Sequence, residues 1–99
     1  MTDYALCDSA RYVPDYTKDP DDVIDVSFNW VGFLDGDTIT TSTFVLPDGL
    51  TEDSSSNTTL RTTIWLSGGS LGLYRVTNRI VTAAGRTKDM TKIVQVIDE

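Results

Sequence analysis

An antiparallel all-β sandwich is the fold this sequence of 99 residues predicts. Three observations predict it. Threonine, serine, valine and isoleucine are plentiful, while alanine, glutamate, glutamine and lysine are scarce. The β-branched side chains lose rotamer freedom in a helix and suit a pleated surface. Apolar residues recur with period two in several segments, and none shows a helical period. Clusters of Gly, Pro, Asp and Ser separate those segments at short intervals, the spacing of a sandwich or small barrel. The length suits one domain, expected at residues 20–99, behind an irregular N-terminal arm at residues 1–19.

The arm holds Tyr4, Leu6, Tyr12, Val13 and Tyr16 in a polar, acidic context, broken by Pro14 and Pro20. Asp19-Pro20-Asp21-Asp22 is a turn. Ile24, Val26, Phe28 and Trp30 then alternate with Asp25, Ser27 and Asn29, the mark of a strand with one buried face. Val31 to Asp37 turns the chain, and its Phe33-Leu34 pair is expected to plug one end of the core. Thr38 to Leu46 is a second strand, with Ile39, Thr41, Thr43 and Val45 on one face and Thr40, Ser42, Phe44 and Leu46 on the other. Pro47-Asp48-Gly49 ends it. Leu50 to Asn57 is polar, a short strand running into an exposed loop. Leu60, Thr62, Ile64 and Leu66 share one face of the next strand, closed by Gly68-Gly69. From Leu73 to Val81, Tyr74, Val76, Asn78 and Ile80 oppose Arg75, Thr77, Arg79 and Val81. Ala83-Ala84-Gly85-Arg86 leads to a last strand, Met90 to Ile97, with Val94 and Val96 inward, so the final two strands form a hairpin. The expected core is Ile24, Val26, Phe28, Trp30, Ile64, Leu66, Tyr74, Val76, Ile80, Val94 and Val96.

One passage is more specific. Leu60…Ile64…Gly72-x-Tyr74-x-Val76 resembles the E-to-F passage of immunoglobulin-like domains. In such folds the tyrosine hydroxyl ties the corner to nearby backbone. Val76 stands where antibody domains carry the second core cysteine, and with Cys7 as the single cysteine no intrachain disulfide forms. The expected fold is therefore an immunoglobulin-like antiparallel β-sandwich with an irregular N-terminal arm. An OB-fold or SH3-like barrel is the competing architecture.

Composition narrows the function. The chain has 8 basic and 15 acidic residues, a net charge of -7 and no histidine. Histidine-based catalysis and metal ligation are excluded, and no Cys-x-x-Cys zinc site is present. Net negative charge argues against nucleic-acid binding, which leans on Lys and Arg. No apolar run is long enough to span a membrane, and the N-terminus lacks the pattern of a secretory signal. Asp19, Asp21, Asp22, Asp35 and Asp37 are the acids a hard cation would use, but Asp35-Gly36-Asp37 is too short for an EF-hand loop and turn chemistry accounts for them. Ser54-Ser55-Ser56 has no base to activate a nucleophile. Asn57-Thr58-Thr59 matches a glycosylation sequon, which means little without secretion. No catalytic set, metal site or cofactor is expected.

Binding remains. The tyrosines of the arm, with Leu6, bury area at low entropic cost and suit docking on a partner. Trp30 belongs to the core, whereas Trp65 lies opposite Ile64 and Leu66 and is the better interface residue. Arg61, Arg75 and Arg79 fall on outward strand faces and are expected to form a basic stripe for an acidic partner. Residues 1–53 carry a charge of -10 and residues 54–99 carry +3, a split that permits copies to pack head to tail.

A longer string of motifs resembles a known family. It comprises Asp19-Pro20-Asp21-Asp22-Val23-Ile24-Asp25, Phe28-x-Trp30, Gly36-Asp37-Thr38-Ile39-Thr40-Thr41-Ser42-Thr43, Gly49-Leu50-Thr51, Ser54 to Thr59, Trp65-Leu66-Ser67-Gly68-Gly69 and Tyr74-x-Val76-Thr77-Asn78-Arg79-Ile80-x-Thr82-x-x-Gly85-Arg86. In order and wording it is similar to small tailed-bacteriophage proteins labelled fiber-tail adaptors, from about residue 19 to the end. The resemblance implies a non-enzymatic virion protein, made in the host cytoplasm, at the tail or neck. Several copies would attach a fiber or collar component to tail-tube or portal-proximal proteins. A capsid decoration or cement protein and a host-surface carbohydrate-binding module are the alternatives. The first would sit on the head, and the second needs Trp65 exposed beside tyrosines in a groove. Removing residues 1–18 is expected to leave a folded domain that assembles poorly.

Overall fold

The computed structural model describes residues 14–98. Among them seven strands form two sheets. The first sheet has the order β1 (Tyr16–Lys18), β7 (Thr87–Val96), β6 (Gly72–Thr82), β3 (Ile39–Val45). The second has the order β2 (Ile24–Asn29), β5 (Arg61–Gly68), β4 (Leu50–Asn57). All pairings are antiparallel except β1 with β7. The pairing β2-β5-β4 against β3-β6-β7 follows the B-E-D and C-F-G pattern of sandwiches in which each sheet buries one face.

Alternation decides which side chains enter the core. Val26 and Phe28 on β2, Ile64 and Leu66 on β5, Val76 and Ile80 on β6, and Val94 and Val96 on β7 are fully enclosed, together with Trp30. Ile24 and Tyr74 pack against them half-buried. Burying each large aliphatic side chain contributes about 1.5–3 kcal/mol, so these rows outweigh local propensity. Leu34 plugs one end as expected, carried on a single helical turn, α1 (Val31–Leu34), rather than on an open loop. Phe33 packs beside it against the edge of Trp30, with ring centroids 5.9 Å apart.

Three elements depart from the sequence reading. The expected faces of β3 are mixed by a bulge between Ile39 and Thr41, which switches the phase of the strand. Ile39 is buried, Phe44 and Leu46 pack inward beyond the bulge, and Val45 is exposed. β4 runs the full length Leu50–Asn57, with only Leu50 buried; ladder hydrogen bonds to β5 carry it, not burial. The boundary expected at residue 19 does not fall at an edge of the sheet, because Tyr16–Lys18 forms β1 alongside β7. Its inward side chains reach the opposite sheet. The Tyr16 hydroxyl accepts the Ser27 N–H at 3.2 Å, and Lys18 Nζ donates to the carbonyls of Gly68 at 2.7 Å and Asp19 at 2.8 Å. A deletion through residue 18 removes this strand, so the cut that spares the sandwich comes before Pro14.

The corner between β5 and β6 is tied as anticipated. The Tyr74 hydroxyl donates to the Ser70 carbonyl at 2.8 Å and accepts the Ser70 N–H at 2.9 Å. Gly69 has φ +94° and lies where a Cβ would stand 3.1 Å from both Leu50 Cδ2 and Val96 Cγ2, so glycine is needed twice over.

Candidate interaction surfaces

The two outer faces of the sandwich are chemically different. On the second sheet, β5 points Arg61, Thr63, Trp65 and Ser67 outward by alternation. Trp65 is 43% exposed, with Asp25 of β2 on one side and Ser54 of β4 on the other. Around it Ser27 and Thr63 share a hydrogen bond at 3.3 Å, and Ser67 donates to Asp53 at 2.8 Å. The platform is thus one indole among short polar groups, with Arg61 at its end. Tyr16 and Tyr74 belong to the other sheet and pack against the core, so no tyrosine of the described residues stands beside Trp65.

On the first sheet, Arg75 and Arg79 of β6 point outward. Arg79 is engaged side-on by Asp89 of β7, with Nε to Oδ1 at 2.8 Å and Nη2 to Oδ2 at 3.1 Å. That pairing raises the arginine pKa and lowers the aspartate's. Both side chains are solvated, where such pairs contribute little to stability. Leu73 on the same face and Leu71 in the corner before it are exposed. The stripe expected from Arg61, Arg75 and Arg79 is therefore divided. β5 and β6 are consecutive in sequence but lie in different sheets, so Arg61 shares a face with Trp65 and the other two arginines do not. Of the arm residues, Tyr16 is half-buried and hydrogen-bonded within the sandwich, while Tyr4, Leu6 and Tyr12 lie outside the described residues.

Three polar arrangements were not anticipated. At the end carrying α1, Asp37 is a hub. Its Oδ1 accepts the N–H groups of Thr38 at 2.8 Å and Ala84 at 3.2 Å, and its Oδ2 accepts Arg86 Nε at 3.2 Å and Nη2 at 3.1 Å. Arg86 also donates to the Leu34 carbonyl at 3.0 Å, and its guanidinium carbon lies 4.3 Å from the Phe33 ring centroid. Hydrogen bonding by the Thr82 side chain is the largest cause holding the Asp37 carboxyl down, from 3.8 to about 2. Burial opposes it, and the Thr38 N–H, Arg86 and the Ala84 N–H reinforce it. These oxygens bind the β2–β3 connection to the β6–β7 turn. The acids of the β1–β2 turn, at the other end of β2, show the expected turn chemistry, the Asp19 N–H donating to Asp22 Oδ2 at 2.9 Å.

The second arrangement is a polar knot inside the core. Asn78 Oδ1 accepts Trp30 Nε1 at 2.9 Å and the Thr62 hydroxyl at 2.6 Å, and Asn78 Nδ2 donates to Ser42 Oγ at 2.9 Å and the Thr43 carbonyl at 3.1 Å. All four hydrogen-bonding positions of the amide are filled. The third is the inner row of β7, where Lys88 and Lys92 flank Met90. Lys88 Nζ lies 5.9 Å from the Phe33 ring centroid, and Lys92 Nζ lies 5.5 Å from that of Phe28 and 5.7 Å from that of Tyr16. The inward places of Asn78, Trp30 and Thr62 were visible in the alternation; the hydrogen bonds that join them were not.

A family model described as podophage GP4 fiber-tail adaptor protein gp77 matches residues 18–95, from the end of β1 to the end of β7. Among curated proteins none matches the chain.

Proposed function

This chain belongs to the podophage fiber-tail adaptor family, and from that premise we propose that it is a non-enzymatic structural adaptor of the virion tail or neck. It holds a fiber or collar component to the tail through protein–protein contacts, in several copies around a symmetric assembly. The observation that carries the reading is the extent of the family match, which spans β2 to β6 whole and β7 as far as Gln95. The surface chemistry supports it. The charged groups that converge, Asp37 with Arg86 and Arg79 with Asp89, are engaged in ties between turns and strands. The two outer faces instead present Trp65 with Arg61, and Leu73 with Arg75, which are side chains suited to docking. Acidic residues gather in the β1–β2 and β3–β4 turns, as Asp19, Asp21, Asp22 and Asp48, and a basic side chain, Arg75, stands on the outer face of the first sheet. That distribution suits neighbouring copies set side by side. The N-terminal residues, including Tyr4, Leu6 and Tyr12, act as a tether. The experiment is cryo-electron microscopy of purified particles: density for this fold at the tail or neck, touching a fiber or collar, is the expected result. Density on the capsid lattice replaces the adaptor reading with that of a decoration protein.

A further inference from the structure

Each sheet edge in this sandwich carries a device against pairing with another chain, with one exception. β3 and β4 are both bulged, at Ile39/Thr41 and Glu52/Ser54. Bulges twist an edge away from incoming strands. β2 is short, and its Ser27 N–H is occupied by the Tyr16 hydroxyl. β7 is ten residues long and keeps an unbroken register against β6, from Gly72↔Val96 to Val81↔Thr87. β1 covers only its C-terminal part, Val94 to Val96.

The way that cover stops is informative. The Ile97 N–H donates to the Lys18 carbonyl. The two-residue repeat of a parallel ladder then brings the Ile93 N–H to the carbonyl of Pro14. That N–H instead donates to Asp15 Oδ2 at 2.8 Å. The carboxylate takes the place of the next backbone acceptor and closes the ladder. Beyond it, alternation turns the N–H and C=O groups of Thr87, Asp89 and Thr91 toward the open side, with no strand beside them among the described residues. The half-buried ring of Phe33, Met90 and the ammonium groups of Lys88 and Lys92 border this opening.

We propose that the Thr87–Thr91 edge of β7 is a docking site for the N-terminal segment of a second copy of this chain, added as a further strand. The inference rests on the multi-copy reading above. Three features name the occupant. Thirteen residues precede Pro14, more than enough to span the edge. Tyr4, Leu6 and Tyr12 share parity, so in extended form they present one face to the Met90 and Phe33 surface. Asp8, of the same parity, complements the bases Lys88 and Lys92 that border the opening. Lysines that repel indiscriminate edge pairing thereby select an acidic strand.

The test measures the mass of the full chain and of a chain beginning at Pro14, together with amide exchange along β7. The expected result is an assembly of the full chain in which the Thr87, Asp89 and Thr91 amides exchange slowly. The shortened chain stays folded by circular dichroism but monomeric, with those amides fast. Replacing Lys88→Glu and Lys92→Glu weakens association at least tenfold, and adding Asp8→Lys restores part of it. Slow amides in a monomeric full chain would mean that each copy covers its own edge, and overturn the proposal. An assembly whose β7 amides stay fast, or that survives the truncation, also overturns it while leaving the multi-copy reading intact. A monomeric full chain with fast amides counts against both.

Discussion

Removing the amide of Asn78 tests whether the polar knot between the sheets holds the fold together. Asn78 is fully buried, as is Thr62, and Trp30 is nearly so. In Asn78→Leu, which keeps the γ-branched outline without a hydrogen-bonding group, the Trp30 Nε1–H and the Thr62 hydroxyl lose the acceptor they share. Each buried group left unsatisfied costs about 1–3 kcal/mol. The Thr62 hydroxyl can rotate toward another acceptor, but the indole N–H is fixed by its ring. The expected loss is therefore about 2–4 kcal/mol, most of it from Trp30. In a domain of this size each kcal/mol lowers the thermal midpoint by about 4–8 °C. Urea unfolding followed by tryptophan fluorescence reads the same quantity. Thr62→Val, a near-isosteric change, adds a second measurement: its cost in the wild-type background should shrink by about 1 kcal/mol or more once Asn78 is leucine. A loss under about 1 kcal/mol for Asn78→Leu, or strict additivity with Thr62→Val, would refute the claim that this amide joins the sheets.

Other expectations follow from the same geometry. Tyr74→Phe removes both hydrogen bonds to the Ser70 backbone at the corner and should cost about 1–2 kcal/mol with an unchanged urea slope. Lys18→Met, which keeps the buried stem, should destabilise less than Lys18→Ala, which leaves a cavity as well as the unpaired Gly68 carbonyl; thermal melts of the two variants decide this. Asp37 has a folded pKa of about 2 against 3.8, so its contribution is complete above about pH 4 and is lost as the pH falls toward 2. Melts across that window should show a falling midpoint in the wild type and a flatter slope in Asp37→Asn. Trp65→Ala, on an exposed platform, should leave the melt nearly unchanged and reduce incorporation into particles, as counted by quantitative mass spectrometry.

The strands legible in the sequence are those whose inner face is paid for by burial alone. β2, β5 and β6 alternate cleanly, and Trp30, Ile64, Val76 and Ile80 could be placed inward from period two. β3 misled because its bulge is set by pairing with β6, and a phase switch leaves no mark in a run of threonines. β4 was shortened in the reading because its residues are polar; it is a strand by virtue of β5. β1 is only three residues long and pairs with residues almost eighty positions away, and Lys18 enters the core against every local preference for solvent. A separation of 49 positions likewise hid the Asp37–Arg86 tie. Of the candidate interface, the exposure of Trp65 followed from its parity, whereas the division of the arginines depended on which sheet each strand joins.

The parallel placement of β1 beside β7 also decides how the domain answers a pull. Tension that enters upstream of Tyr16 and leaves after Val96 runs along two parallel strands side by side and pulls them in opposite directions. The β1–β7 bonds are then loaded together and slide rather than opening one after another like a zipper. The Lys18 and Tyr16 bonds to the second sheet share the strain. If the domain joins an appendage to a tail, as proposed, it is tugged whenever the particle strikes a surface, and this arrangement makes its shortest strand its mechanical clamp.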